Sequence, residues 1–276
     1  TPSTFTIPAG GTQAVLFEIN VDGAAMGTWQ LGYVSFETTD FFTTGEAISD
    51  VRLTLAVMPD PGNLPALVEK EVYRDAGGVV LEDLYSIEIT EMTFEQAGLT
   101  EASYYDFALD VDPTNGDPYD VLDDIWYTSF TVPAYTKRLV FEVLETTSSD
   151  LDMFMGEGTI PSLASEITMS ATATAYEYIS FVDPTEEDPI TVWVLIQNYA
   201  GAPGDTVKLA VGILPKVDEG NLDITGPDSV AAGDFFDLTL TWDIPEMEPV
   251  SAWYGWFSMG SEAGSPGDIG ETEVNI

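Results

Sequence analysis

The residues in this chain that could do chemistry are carboxylates. They are densest where Asp106, Asp110, Asp112, Asn115, Asp117, Asp120, Asp123 and Asp124 crowd the run DVDPTNGDPYD and its flanks. Oxygen ligands at short intervals on a turning loop converge on calcium at about 2.4 Å, and Asn115-Gly116 supplies a turn. The loop is not an EF-hand: counted from Asp110, the sixth position is Asn115 in place of Gly and the twelfth is Val121 in place of Glu. Calcium ligands are expected among Asp110, Asp112, Asn115, Asp117 and Asp120; a solvated acidic loop is the alternative. A second metal candidate is the pair Asp150 and Asp152, which flanks Leu151. Strand alternation puts both carboxylates on one face, with Leu151, Met153 and Met155 on the other. Like charges about 7 Å apart repel and a shared cation would relieve them, but a polar outer face explains the same alternation. Asp183, Glu186, Glu187 and Asp188 lie between prolines and read as a solvated turn, with a weaker calcium option.

The missing residue types exclude more than the present ones suggest. The 276 residues contain no histidine and no cysteine. Imidazole general bases, Ser-His-Asp triads, thiolate nucleophiles and disulfides are therefore all absent. A two-carboxylate glycosidase needs neither residue. With 48 acids, however, some pair meets the required spacing by chance. Lys70, Lys137-Arg138, Lys208 and Lys216 show no Ser-Lys catalytic spacing and are expected to pair with neighbouring acids. The chain is expected to be no enzyme by itself.

Seven Lys and Arg against 48 Asp and Glu give a formal net charge of −41. Nucleic acid and anionic membrane surfaces are thereby disfavoured as partners, since both are bound through Lys and Arg. Self-repulsion of this size calls for screening salt or bound cations. A saline, calcium-containing, extracellular setting is expected, with calcium as a structural cofactor. No apolar run approaches a membrane span. Thr1 stands where an initiator Met would and no signal-peptide pattern follows, so a processed or excised piece of a secreted protein is expected.

The elements that must position these residues read as strands. Apolar content of 45%, with 12% aromatic, is enough to build cores despite the charge. Val15-Phe17-Ile19-Val21, Val51-Leu53-Leu55-Val57 and Leu139-Phe141-Val143 alternate with other residues. So do Val192-Val194-Ile196, Val207-Leu209-Val211-Ile213 and Phe236-Leu238-Leu240-Trp242. Period-two runs separated by Gly, Pro, Asn and Asp clusters are half-buried strands. Helical turns are expected at most near Phe94 to Gln96 and Tyr119 to Asp124. The fold class is all-β: tandem antiparallel β-sandwich modules of jelly-roll or immunoglobulin-like form. Proline breaks at Pro59/Pro61 and Pro215 suggest three units, 1–60, 61–216 and 217–276.

In the last unit, Trp253-Tyr254-Gly255-Trp256-Phe257 concentrates aromatic surface. As a strand it sends Trp253 and Phe257 one way and Tyr254 and Trp256 the other. Tyr254 and Trp256 are the expected binding surface, stacking sugar rings or apolar polypeptide side chains. Burial against the preceding unit is the alternative.

The middle unit carries an ordered series. Phe130-Thr131-Val132-Pro133 and Leu139-Val140-Phe141-Glu142-Val143 come first, then Ser149-Asp150-Leu151-Asp152-Met153-Phe154-Met155. Gly158-Thr159-Ile160-Pro161, Val192-Trp193-Val194-Leu195-Ile196-Gln197-Asn198-Tyr199 and Asp205-Thr206-Val207-Lys208-Leu209 follow. Over roughly residues 127–214 this order resembles the bacterial pre-peptidase C-terminal domain, a β-sandwich appended to secreted proteases. Phe5-Thr6-Ile7-Pro8-Ala9-Gly10, Gly27-Thr28-Trp29-Gln30-Leu31 and Val51-Arg52-Leu53 resemble the end of the fibronectin-type-III-like domain of large subtilisin-like proteases. Gly226-Pro227 with Phe236 to Trp242 is similar to another immunoglobulin-like module of such tails. The resemblance implies a non-catalytic C-terminal extension of a secreted subtilisin-like serine protease. Such a region would stabilise or position the catalytic domain, engage protein substrate, or be trimmed on maturation. Its implied partners are the parent's catalytic domain and protein substrate. A calcium-dependent adhesin or carbohydrate-binding module is the competing reading.

Overall fold

The computed structural model describes residues 4–7, 10–17, 19–20, 28–37, 51–245, 247–248 and 250–276. The chain divides at Pro61/Gly62, next to the first proline break. In the first unit, β1 (Gln30–Phe36) and β2 (Val51–Val57) pair antiparallel, with Tyr33 opposite Thr54. The alternation at Val15 to Ile19 does not become a strand among the described residues; Glu18 and Val21 lie outside them, as do Pro8, Ala9 and Gly27 of the fibronectin-like signature.

Residues 62–276 form the second unit, in which every named element is a strand or a short 3-10 turn. Its strands in chain order begin with β3 (Leu67–Glu69), β4 (Ala76–Leu84), β5 (Thr93–Glu101) and β6 (Ser103–Leu109). Next come β7 (Trp126–Val132), β8 (Thr136–Thr146), β9 (Leu151–Glu157) and β10 (Glu166–Ser170). β11 (Tyr178–Val182), β12 (Ile190–Asn198) and β13 (Asp205–Pro215) follow. The series ends with β14 (Leu222–Thr225), β15 (Phe236–Asp243), β16 (Trp253–Gly260) and β17 (Gly270–Asn275). The turn expected near Tyr119 to Asp124 is a 3-10 turn at Leu122–Asp124, whereas Phe94 to Gln96 belong to β5.

These strands make two sandwiches. In the first, the sheets β10-β9-β12-β7 and β11-β8-β13-β6 face each other. Leu139, Phe141, Val143, Met153, Met155, Val194, Ile196 and Leu209 fill the space between them. The period-two runs place these side chains inward, as half-buried strands require. In the second sandwich the sheets are β14-β15-β4 and β3-β17-β16-β5. Leu99, Leu238, Leu240, Trp242, Phe257 and Met259 form its core.

The three-unit division is corrected here. Residues 61–101 do not belong with the middle sandwich, and 217–276 are not a module by themselves. Val79 on β4 pairs with Leu240 on β15, and Phe94 on β5 pairs with Met259 on β16. The eight-strand sandwich of β6 to β13 is thus inserted between two halves of a seven-strand sandwich. A strand with unpaired edges is unstable in isolation, so β4 and β5 take partners about 160 residues downstream. Proline breaks report only where a strand stops, not what it pairs with.

The two sandwiches pack through the outer face of β8 and β13 against the outer face of β16 and β17. Val140 and Ala210 pack on Tyr254. At Gly212 the absent side chain matters, since a Cβ there would lie 2.3 Å from Cδ2 of Tyr254. Among the described residues no helix is long and apolar enough to cross a membrane.

Candidate functional site

The acidic loop between β6 and β7 lies across the outer face of the β10-β9-β12-β7 sheet. Tyr119 and Leu122 pack there on Phe154, Trp193 and Leu195. Tyr119 meets Phe154 and Trp193 edge-on at 6.0 and 6.1 Å, and its hydroxyl donates to Glu166. The apolar residues of this loop therefore anchor it, while its acids shape its turns.

Each predicted ligand in the loop serves a neighbouring donor or acceptor. Asp110 Oδ1 accepts from the Gly204 amide at 2.8 Å. Asp112 is buried; its Oδ1 accepts from the Thr114 amide at 2.8 Å and its Oδ2 from the Gln197 side chain. Asn115 Nδ2 donates to the Tyr199 carbonyl at 3.0 Å. Asp117 Oδ1 accepts from the Tyr119 amide at 3.1 Å, and Asp120 Oδ1 from the Thr114 hydroxyl at 2.8 Å. Asp112 and Asp117 each accept from the amide two residues on, as in Asx turns, while Asp110 and Asn115 tie the loop to the 199–204 segment. Among the described residues no group of three or more acids is placed to hold a metal ion. One oxygen each of Asp110, Asp117 and Asp120 and both of Asp112 are thus engaged in holding the loop.

Asp150 and Asp152 occupy the same end of this sandwich, and Leu151, Met153 and Met155 are buried on the opposite face of β9. One carboxylate oxygen of Asp150 is buried without a hydrogen-bond partner. The Asp152 carboxyl is pushed up to about 6, first by burial and then by the charges of Asp150 and Glu177. Glu177 accepts hydrogen bonds from the Thr172 amide and hydroxyl and from Ser170. Nearby, Ser148, Asn198 and Asp205 form a buried polar network that the sequence reading missed. Ser148 donates to Asn198 at 2.8 Å, and Asn198 donates to Asp205 at 3.2 Å. The Ala202 amide holds Asp205 below the usual carboxylate range despite its burial, and Thr147 and Asn198 add to the effect. The network ties together the ends of β8, β12 and β13.

Tyr254 and Trp256 are not a binding surface. They are 1% and 5% exposed and lie inside the junction between the sandwiches. The Tyr254 hydroxyl donates to Glu142 Oε2 at 2.6 Å. Lys137 Nζ sits 3.5 Å from the Trp256 ring centroid, a cation–π contact. The alternation itself was read correctly, since Phe257 faces the core of the second sandwich. A single strand's pattern cannot show that a neighbouring module covers its second face.

The centre of this junction is Arg138, 0% exposed, which pairs with an acid as expected, but with one from the other sandwich. Its guanidinium donates to the Gly255 carbonyl at 3.0 Å, to Glu273 at 2.7 Å and to Asn275 at 2.8 Å. The only signal in the sequence was its place in phase with Val140 and Glu142, opposite to the core residues Leu139 and Phe141.

Fold and site together define a double β-sandwich whose acids shape loops and whose scarce cations fasten modules. No protein-family model matches the chain, and no curated protein matches it. A solved structure of infectious bursal disease virus, Gt strain, is similar at 10% identity with a TM-score of 0.20, over 85% of this chain and 59% of that one. The Gx strain structure is similar at 13% identity with a TM-score of 0.14, over 89% of this chain and 60% of that one. The chain spans about three fifths of those viral chains, and likeness at this level carries no argument about function.

Proposed function

We propose that this chain is a non-catalytic accessory region of a secreted subtilisin-like serine endopeptidase, a stiff pair of sandwiches that stabilises or positions the catalytic domain. The observation that carries the reading is the junction. A buried guanidinium tied to both sandwiches makes residues 62–276 one body, as a spacer requires. The ordered resemblance over residues 127–214 supports the protease parent, and the lack of histidine and cysteine supports a non-catalytic role. The adhesin or glycan-binding reading relied on Tyr254 and Trp256, and their burial removes that support.

The test has two arms. The gene's full reading frame is expected to encode a subtilisin-like catalytic domain ahead of Thr1. Removing residues 1–276 from that protease should shorten its half-life at elevated temperature several-fold while leaving kcat/KM on a short peptide within about two-fold. A reading frame without such a domain, or hydrolysis of casein by the isolated chain, would overturn the proposal.

A further inference from the structure

The first and last strands of residues 62–276 are neighbours. β3 and β17 pair in parallel, with Leu67 opposite Glu273, Val68 opposite Val274 and Glu69 opposite Asn275. The Glu273 amide donates to the Ala66 carbonyl and the Lys70 amide to the Asn275 carbonyl, both at 2.9 Å. The Thr272 hydroxyl adds a bond of 2.8 Å to the Pro65 carbonyl. Among the described residues every other pairing of named strands is antiparallel.

The direction of this pairing decides how it meets a pull. Drawn by Gly62 and Ile276, β3 moves toward its own start and β17 toward its own end. In parallel strands those two displacements oppose each other along the strand axis, which is shear. All the bonds between the strands are then loaded at once, whereas antiparallel terminal strands open one bond at a time. Single hydrogen bonds are weak, so loading them together is what raises the force required.

Other contacts resist the same slide. Val68 and Val274 are 8% and 2% exposed in the core of the seven-strand sandwich, so neither strand moves without withdrawing a side chain. On its other edge β17 pairs with β16, from Asn275 opposite Tyr254 to Gly270 opposite Met259. From the inserted sandwich, Arg138 donates to the Glu273 carboxylate, the Val274 carbonyl and the Asn275 side chain. Those are the three residues that face β3.

The backbone of the inserted sandwich stands outside this path. The chain leaves the seven-strand sandwich after β5 and returns before β14, and the two crossings are adjacent: the Gly98 amide donates to the Val217 carbonyl at 3.2 Å. While β3 and β17 hold, tension between Gly62 and Ile276 does not run through the strands β6 to β13.

We propose that residues 62–276 form a tension-bearing link, in which the seven-strand sandwich takes load in shear across β3 and β17 and shields the inserted sandwich from it. The inference goes beyond the protease reading and stands whether or not a catalytic domain precedes this chain.

The experiment is single-molecule force spectroscopy of the 276-residue chain, whose lack of cysteine makes one introduced thiol a unique handle. One attachment is a tag at the N-terminus. The other is either a cysteine added after Ile276 or Gly264→Cys, in the exposed turn between β16 and β17, where a Cβ meets nothing within 4 Å. Attachment at residue 264 pulls from the same end of the β3–β17 pair as the N-terminal tag, so it peels the strands apart. Only the direction of load differs between the two. The yield force is expected to be about two-fold or more higher from the C-terminus, because forced unfolding follows the barrier along the direction pulled. Equal forces would overturn the shear clamp.

Beyond the extension of residues 1–61, common to both attachments, the C-terminal pull should release the second unit in two steps. About 100 residues of the seven-strand sandwich, roughly 350 Å, come first, and the inserted sandwich follows. Adding about twenty glycine and serine residues between Thr159 and Ile160, both exposed, should lengthen only the later step, by about 70 Å. A longer first step, or release of both sandwiches in one step, would overturn the shielding.

Discussion

The guanidinium of Arg138 lies 2.7 Å from Glu273 Oε2, joining residues 135 positions apart and belonging to different sandwiches. The same group also donates to the backbone carbonyls of Gly255 and Val274. Removing one partner of a buried pair strands the others, at a cost of about 3–5 kcal/mol. Arg138→Ala is expected to lose that much in urea unfolding. A loss under about 1 kcal/mol would mean that apolar packing alone holds the junction.

Tyr254 and Trp256 test the same junction through different forces. Tyr254→Phe keeps the ring and removes the 2.6 Å bond to Glu142, so a loss of about 1–3 kcal/mol is expected. Trp256→Ala removes a large buried side chain, at about 3–5 kcal/mol. Both are read from denaturation midpoints. Glycan-array binding abolished by Trp256→Ala without a change in stability would restore the aromatic-platform reading.

Asp152 predicts the pH response of the first sandwich. Its folded carboxyl titrates at about 6, above the 3.8 of an exposed aspartate, so the native state holds the proton more tightly than the unfolded chain. Its contribution is therefore most favourable below pH 3.8 and is lost as pH rises through about 6. The group is half-buried, and solvent screening reduces the effect to about 1 kcal/mol. Asp152→Asn should raise the melting temperature at pH 7 by about 2–4 °C and have little effect at pH 4. Equal shifts at both pH values would place the cause elsewhere.

Net charge sets the response to ions. The melting temperature should rise between 0.05 and 1 M sodium chloride (roughly 14 to 3 Å of screening length), because the repulsion of a formal −41 is spread over the surface. Calcium against chelator at high salt isolates specific binding from screening. With Asp110, Asp112, Asp117 and Asp120 already accepting hydrogen bonds within the loop or from Gly204, the calcium increment should be small beside the salt effect. A large increment, abolished by Asp112→Ala with Asp117→Ala, would show that the loop rearranges to gather its acids around the ion.

Much of the fold was legible because strands announce themselves locally. Leu139, Phe141 and Val143 alternate in the sequence and all three are buried. The acidic loop was also legible as a loop, since Asn115-Gly116 and its prolines cannot continue a strand. Its anchoring was not, because Tyr119 and Leu122 gain meaning only once Phe154 and Trp193 lie beneath them.

The sequence alone determined the all-β class, the positions of most strands and the absence of imidazole and thiol chemistry, because side-chain period and residue type are local properties. Tertiary structure decided which strands share a sheet, that the middle sandwich is inserted into another, and that Tyr254, Trp256 and Arg138 lie inside a junction. Those outcomes depend on pairing between residues more than 100 positions apart, as in Arg138 with Glu273. A strand's own pattern fixes which face is apolar; only its neighbours fix whether that face meets water, a core or a second module.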